Sequence, residues 1–193
     1  MTALIRVICA IICLSGLFCS AAPGESPLLS FEDLGGTLHQ PLDPANKSAS
    51  VIIFYWHDCP ICNSYAPEIN RIQNSHTNFA FYIVQVDPDL TVADARKHAK
   101  EYDLHPPVLL DPKHRLVEQL KATVTPQTVI VGRDGKILYR GRIDDWYAAL
   151  GKRRSAARQH DLIAALDDIK AGRPIKNKET KAIGCVIEGM RAK

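Results

Sequence analysis

Val51-Ile52-Ile53-Phe54-Tyr55-Trp56-His57-Asp58-Cys59-Pro60-Ile61-Cys62 is the stretch on which the fold turns. Its first six residues are an unbroken apolar run, the pattern of a strand buried on both faces. Tyr65, Ile69 and Ile72 then recur at helical spacing, so the second cysteine opens a helix. A cysteine at a helix start is a chemical device. The unpaired N–H groups and the helix dipole stabilise a thiolate there. A second cysteine one turn on is close enough to form a disulfide with the first and to release a mixed-disulfide intermediate. Zinc binding would need two further ligands, and no second C-x-x-C or H-x-x-x-H is present. A c-type haem site would need His after the second cysteine, where Asn63 stands. A plain structural disulfide is the bland alternative, and redox chemistry is favoured over it.

Outward from this stretch, strands and helices alternate. Phe79–Val86 reads as a strand, followed by a helical stripe of Val92, Ala95, Ala99 and Tyr102 capped by Asp89 or Thr91. Val108–Leu110 is a short strand, and Leu116, Val117 and Leu120 mark another helix. Thr128–Val131 and Ile137–Tyr139 flank Arg133-Asp134-Gly135-Lys136, a hairpin signal. Leu162, Ile163, Leu166 and Ile169 form the last helix, stopped by Gly172 and Pro174. The expectation is one α/β domain over residues 23–172, its sheet ending in an antiparallel hairpin, with a tail over 173–193 that carries Cys185.

Composition fits that reading. The chain has 193 residues, 46% hydrophobic and 23% charged, a globular mix that sets aside disordered and disulfide-scaffold classes. A formal charge of +3 is too small for the usual nucleic-acid binder. The charge is uneven, since residues 140–193 carry 13 Lys/Arg against 7 Asp/Glu. A solvated basic face is preferred there over a docking surface for an acidic partner.

Residues 1–22 read as a targeting segment. Arg6 gives a positive start, Val7–Phe18 is uncharged and apolar, and Ser20, Ala21 and Ala22 supply a small-residue cleavage site. The apolar run is short for a membrane span. Cleavage is preferred over an uncleaved anchor or acylation at Cys19, since Phe18 is not the small residue a lipid signal wants. The mature chain is then exported, to a periplasmic or extracellular setting, and touches a membrane only through such an anchor. Removal of Cys9, Cys13 and Cys19 with this segment leaves Cys59, Cys62 and Cys185. Three cysteines are odd in number and too few for a scaffold in an oxidising compartment.

At Cys59-Pro60-Ile61-Cys62 the chain resembles the thioredoxin-like superfamily, and within it the secreted redoxins, TlpA-like and AhpC/TSA peroxiredoxin-like. Pro67 stands where that family kinks its helix, and Thr125-Pro126 stands where it carries a cis-proline beside the active-site disulfide. The 38 residues between Asp87 and Pro126 leave room for a TlpA-like helix–strand insert. The resemblance implies a thioredoxin-like fold, a central mixed sheet flanked by helices, and thiol–disulfide oxidoreductase activity. Cys59 would be the exposed nucleophile, Cys62 the buried resolving thiol, and Thr125 and Pro126 would shape the substrate groove. Protein or small-molecule disulfides and thiols, with a redox partner protein, would be the partners; no cofactor and no metal are implied.

The departures are specific. Ile53 replaces thioredoxin's buried Asp and Tyr65 replaces the TlpA-like Glu, which leaves His57, Asp58 and Glu68 as candidate proton acceptors. Ile52 and Trp56 hold the Pro and Thr positions of the peroxiredoxin loop, which weighs against a fast peroxidase. A weak thiol peroxidase remains one alternative. Cu(I) handling by Cys59, Cys62 and Cys185 is the other, since a soft ion favours thiolates. Cys185 is a candidate third redox cysteine, within reach of the site along an otherwise charged tail. The seven His residues show no ligand spacing. The link through Arg140, Trp146, Tyr147 and Arg153 is expected to be a solvated loop.

Overall fold

All seven residues of the strand Ala49–Tyr55 are buried, because the sheet it centres is covered on both faces. A computed structural model describes residues 29–189. The proposed targeting segment, with Cys9, Cys13 and Cys19, lies outside them. In chain order the elements are β1 (Phe31–Glu32), β2 (Leu38–His39), β3 (Ala49–Tyr55), α1 (Pro60–Ser75), β4 (Ala80–Gln85), α2 (Val92–Glu101), β5 (Val108–Leu110), α3 (Arg115–Leu120), β6 (Val124–Thr125), β7 (Gln127–Gly132), β8 (Ile137–Gly141), β9 (Tyr147–Ala149), β10 (Lys152–Arg153), α4 (Asp161–Lys170) and β11 (Cys185–Val186). Among them no helix is long and apolar enough to cross a membrane.

The main sheet runs β5-β4-β3-β7-β8, with β3, β4 and β5 parallel and β7 and β8 antiparallel. Side chains alternate across it as a strand requires. Val51, Ile53 and Tyr55 join a core with Ile69 of α1 and Leu162 of α4, while Ile52 and Phe54 join Leu116 and Val117 of α3 on the other side. Between Asp87 and Pro126, α2 and β5 supply the expected helix–strand pair ahead of α3, with Thr91 as the working cap: its hydroxyl accepts from the Asp94 N–H at 3.1 Å. The β7–β8 hairpin closes through Arg133–Lys136, where Gly135 takes a φ of +72° that a side chain rarely adopts.

One expectation fails in part beyond β8. The link after Arg140 is solvated only in its later part: Ile143, Asp144 and Asp145 are buried, whereas Gly151, Lys152 and Arg153 are exposed, and β9 and β10 form a small hairpin. The carboxylates tolerate burial because backbone donors meet them. Asp145 accepts from the Arg158 and Gln159 N–H groups, and Asp144 accepts from Trp146 N–H and Tyr65 OH.

The segment after Gly172 folds back onto the domain. Arg140 N–H donates to Lys178 O, and Thr180 N–H donates to Arg140 O, which docks the segment along β8. The Thr180 hydroxyl closes a ring: it bonds the Tyr139 hydroxyl at 2.7 Å, Tyr139 OH donates to Arg142 O at 2.6 Å, and Arg142 N–H donates back to Thr180 Oγ1 at 3.1 Å. Thr180→Val keeps the shape but orphans partly buried polar groups. It is expected to cost about 1–3 kcal/mol, read as a lower urea midpoint at constant m-value.

Candidate functional site

Cys59 is the N-cap of α1, with its backbone extended and Pro60 at the first helical position. Its N–H donates to Trp56 O at 2.9 Å and its carbonyl accepts from Asn63 N–H at 3.1 Å. No side chain caps this helix end, so the free first-turn N–H groups are left to the cysteine. Pro67 lies inside α1, and the Thr125–Pro126 bond is cis. Both prolines therefore stand where the resemblance placed them.

The three cysteines converge. Cys59 is joined by a disulfide to Cys185, with a Cα–Cα separation of 6.2 Å, while Cys62 is the free thiol among the described residues. Cys185 reaches the site because β11 pairs antiparallel with β6, setting Cys185 opposite Thr125 and Val186 opposite Val124. The Thr125 carbonyl oxygen lies 3.5 Å from Cys59 Sγ, and the Thr125 hydroxyl donates to Cys185 O at 3.5 Å. Cys59 was expected to be exposed; its relative exposure is 0%, because this returning segment lies over it. Cys62 is also fully buried. Burial pushes its thiol up to about 12, against opposing hydrogen bonds from the Trp56 backbone, the Thr125 side chain and its own backbone.

The three candidate proton acceptors are not equivalent. His57 stands at the mouth, Nε2 3.3 Å from Asp58 and Nδ1 3.3 Å from Asp87, whose carboxylate also accepts from the Trp56 indole at 3.3 Å. Asp58 is exposed. Glu68 lies six residues beyond Cys62, about 9 Å along the helix axis, and forks onto Arg71 at 2.6 and 2.7 Å. Its carboxylate faces Asp144 and His160 rather than the cysteines. These three offer ligand atoms within 4.8 Å of one another. Arg71, Tyr65 and Trp146 already engage the two carboxylates there.

Sequence reasoning missed Asn63. Its side-chain oxygen accepts from Tyr55 OH at 2.9 Å and faces His98 Nε2 at 3.0 Å, and its NH₂ donates to His57 O at 2.8 Å. The turn that presents Cys59 is thereby pinned to β3 and α2. Burial, and then the neighbouring His57, depress the His98 pKa, so a neutral ring donating through Nε2 fits this network. A polar residue directly after the second cysteine was the available signal.

Two grooves lie beside the start of α1. One, of about 380 Å³, is bordered by Pro60, Ile61, Tyr147, Leu150, Arg153 and Cys185. The other, of about 720 Å³, has His57, Asp58, Pro60, Asn63 and His98 along it. Cys185 is partly exposed while Cys59 is not, so solvent approaches this disulfide from the Cys185 side.

Comparisons with known proteins bear on the family and the fold. The AhpC/TSA family model matches residues 29–140. The thiol-disulfide oxidoreductase ResA of Bacillus cereus is 24% identical over 115 residues, 59% of this chain and 65% of the relative, so the match spans less than two thirds of that protein. Among solved structures, an uncharacterized conserved protein from Geobacillus kaustophilus is 25% identical with a TM-score of 0.73, over 88% of this chain and 93% of that one. A secreted Mycobacterium tuberculosis disulfide oxidoreductase homologous to E. coli DsbE is 17% identical with a TM-score of 0.53, over 72% and 95%. The fold is thioredoxin-like.

Proposed function

From the premise that this chain belongs to the AhpC/TSA family, we propose that it is an exported thiol–disulfide oxidoreductase working through Cys59 and Cys62. The observation that carries this reading is the placement of Cys59: at the uncapped start of α1, beside the cis Thr125–Pro126 bond, already in a disulfide, with a free thiol one turn beneath it. The activity named for the Bacillus cereus relative supports it. Ile52 is core and the Trp56 indole is tied to Asp87, so neither offers the hydroxyl a peroxidatic loop would use. A Cu(I) site would need thiolates that Cys59 and Cys185 hold in their bond.

In the reducing direction, the Cys59 thiolate attacks one sulfur of a substrate disulfide. The other sulfur leaves with the bonding electron pair and takes up a proton. Cys62 loses its proton and attacks Cys59 Sγ in the mixed disulfide, which expels the second substrate thiolate. Two electrons have then passed from the Cys59/Cys62 dithiol to the substrate. Cys185 can in turn attack Cys59 Sγ and free Cys62, giving the Cys59–Cys185 bond. A thiol donor or redox partner protein restores the dithiol, and the same steps run backwards against a more reducing partner. Thr125 and Pro126 shape the groove in which exchange occurs. Export rests on residues 1–22, and an extracytoplasmic disulfide persists where thiols are not kept reduced.

The test is catalysis of insulin reduction. Micromolar protein with a small dithiol should shorten the lag to insulin precipitation relative to dithiol alone. No acceleration, from protein shown by thiol titration to be reduced, would sink the reading.

A further inference from the structure

The segment that covers Cys59 lies on it in a defined way. β11 pairs with β6 as an added antiparallel strand, and Ile187 N–H extends the ladder by donating to Thr123 O at 3.0 Å. Its side chains alternate in environment. Cys185 is bonded to Cys59, Val186 is 60% exposed, and Ile187 is 3% exposed within the apolar cluster that includes Phe54, Val86 and Ala122. Gly184 sits flat against the cis Thr125–Pro126 bond. A Cβ there would run into the Thr125 carbonyl oxygen and lie 2.6 Å from its carbon. Main-chain pairing holds the strand, and the side chains at alternate positions decide what fits.

We propose that Gly184–Ile187 occupies the substrate groove as a built-in substrate. The protein then selects disulfides in extended peptide segments with glycine directly before cysteine and a branched aliphatic residue two positions after it. This rests on the reading of Cys59 as nucleophile. Glycine is required before cysteine because the Thr125 carbonyl fills the space of any Cβ, and that carbonyl belongs to backbone that cannot swing aside. The aliphatic residue is required because the Ile187 site is dry. The position between them faces solvent and is free to vary. A substrate disulfide enters by displacing the tail strand once a dithiol donor has reduced the Cys59–Cys185 bond, the donor becoming a disulfide and Cys59 and Cys185 both becoming thiols.

The experiment uses the reduced full-length chain carrying Cys62→Ser and Cys185→Ser, so that Cys59 is the thiol left at the site. The probe is the peptide Ala-Ile-Gly-Cys-Val-Ile-Glu, blocked at both ends, with its cysteine linked to thionitrobenzoate. The Cys59 thiolate attacks the peptide sulfur, a Cys59–peptide disulfide forms, and coloured thionitrobenzoate leaves with the electron pair. The tail competes equally with every peptide, so relative rates report the groove. Peptides with Ala in place of Gly, or Asp in place of the Ile after Val, should each react roughly tenfold or more slowly. Equal rates for all three overturn the inference. Free dithiobis-nitrobenzoate, which has no backbone to pair, is the control. If it also fails to react, the nucleophile assignment has failed instead. Gly184→Ala in the otherwise natural chain is the second arm. On oxidation it should shift the pairing from Cys59–Cys185 to Cys59–Cys62 and leave Cys185 open to iodoacetamide. Undiminished Cys59–Cys185 pairing in this variant also overturns the inference.

Discussion

Cys59→Ser is expected to bring exchange down to the rate of the small dithiol alone. The loss is roughly 10³-fold or more, the order seen when a covalent nucleophile is removed. The size of the effect follows from position, since Cys59 is the residue at the uncapped end of α1 that also faces the Thr125–Pro126 turn. Cys62 lies behind it and is fully buried. Cys62→Ser should behave differently. The first exchange remains, but the mixed disulfide on Cys59 is resolved by Cys185 alone, and adding Cys185→Ser should leave the adduct stable to mass spectrometry. Wild-type insulin turnover in Cys59→Ser would place the nucleophile elsewhere.

The second large effect is on pH dependence. Burial pushes the Cys62 thiol up to about 12, so near neutral pH it is protonated, and its thiolate fraction grows tenfold with each pH unit. In Cys185→Ser carrying a preformed Cys59–thionitrobenzoate disulfide, the dye is released by Cys62 attack. Its first-order rate should rise about 10³-fold between pH 6 and 9 without a plateau. A levelling near pH 7 would mean that a neighbouring base takes the proton. The same shift carries a sign for stability. A folded-state pKa above the ordinary value near 9 favours the folded protein below that pH, and this contribution is lost as the pH rises towards 12.

Much of this was legible because local rules and tertiary packing agree. The apolar run at Val51–Trp56 has a single stable use, a strand with both faces covered, and β3 has it. Cys59 and Cys62 on a helix start follow from the spacing of Tyr65, Ile69 and Ile72. The features that were not legible depend on pairing between residues far apart in sequence. The reach of the tail made Cys185 a candidate third redox cysteine, but which cysteine it bonds, 126 positions away, is set by the pairing of β11 with β6. Gly184 looks like a flexible link until the Thr125 carbonyl is set against it. The polar link after Arg140 hides its burial, because Asp144 and Asp145 are matched by backbone N–H groups that no composition count reveals. Glu68 was a candidate on proximity in sequence, and two helical turns carry it away from the sulfurs.

The hydroxyl ring at Thr180 sets the length of a leash. Only five residues lead from that anchor to Cys185, so a released Cys185 thiol stays within about 17 Å of it. One thiol confined to a sphere of that radius has an effective concentration on the order of 0.1 M. An external monothiol at millimolar levels meets that competitor at a large disadvantage, however well it fits the groove. Chemically, the protein is expected to ignore the small-thiol background of its surroundings and respond to partners that bind before they exchange. Loosening the leash at Thr180, with every cysteine left in place, should make it answer to both.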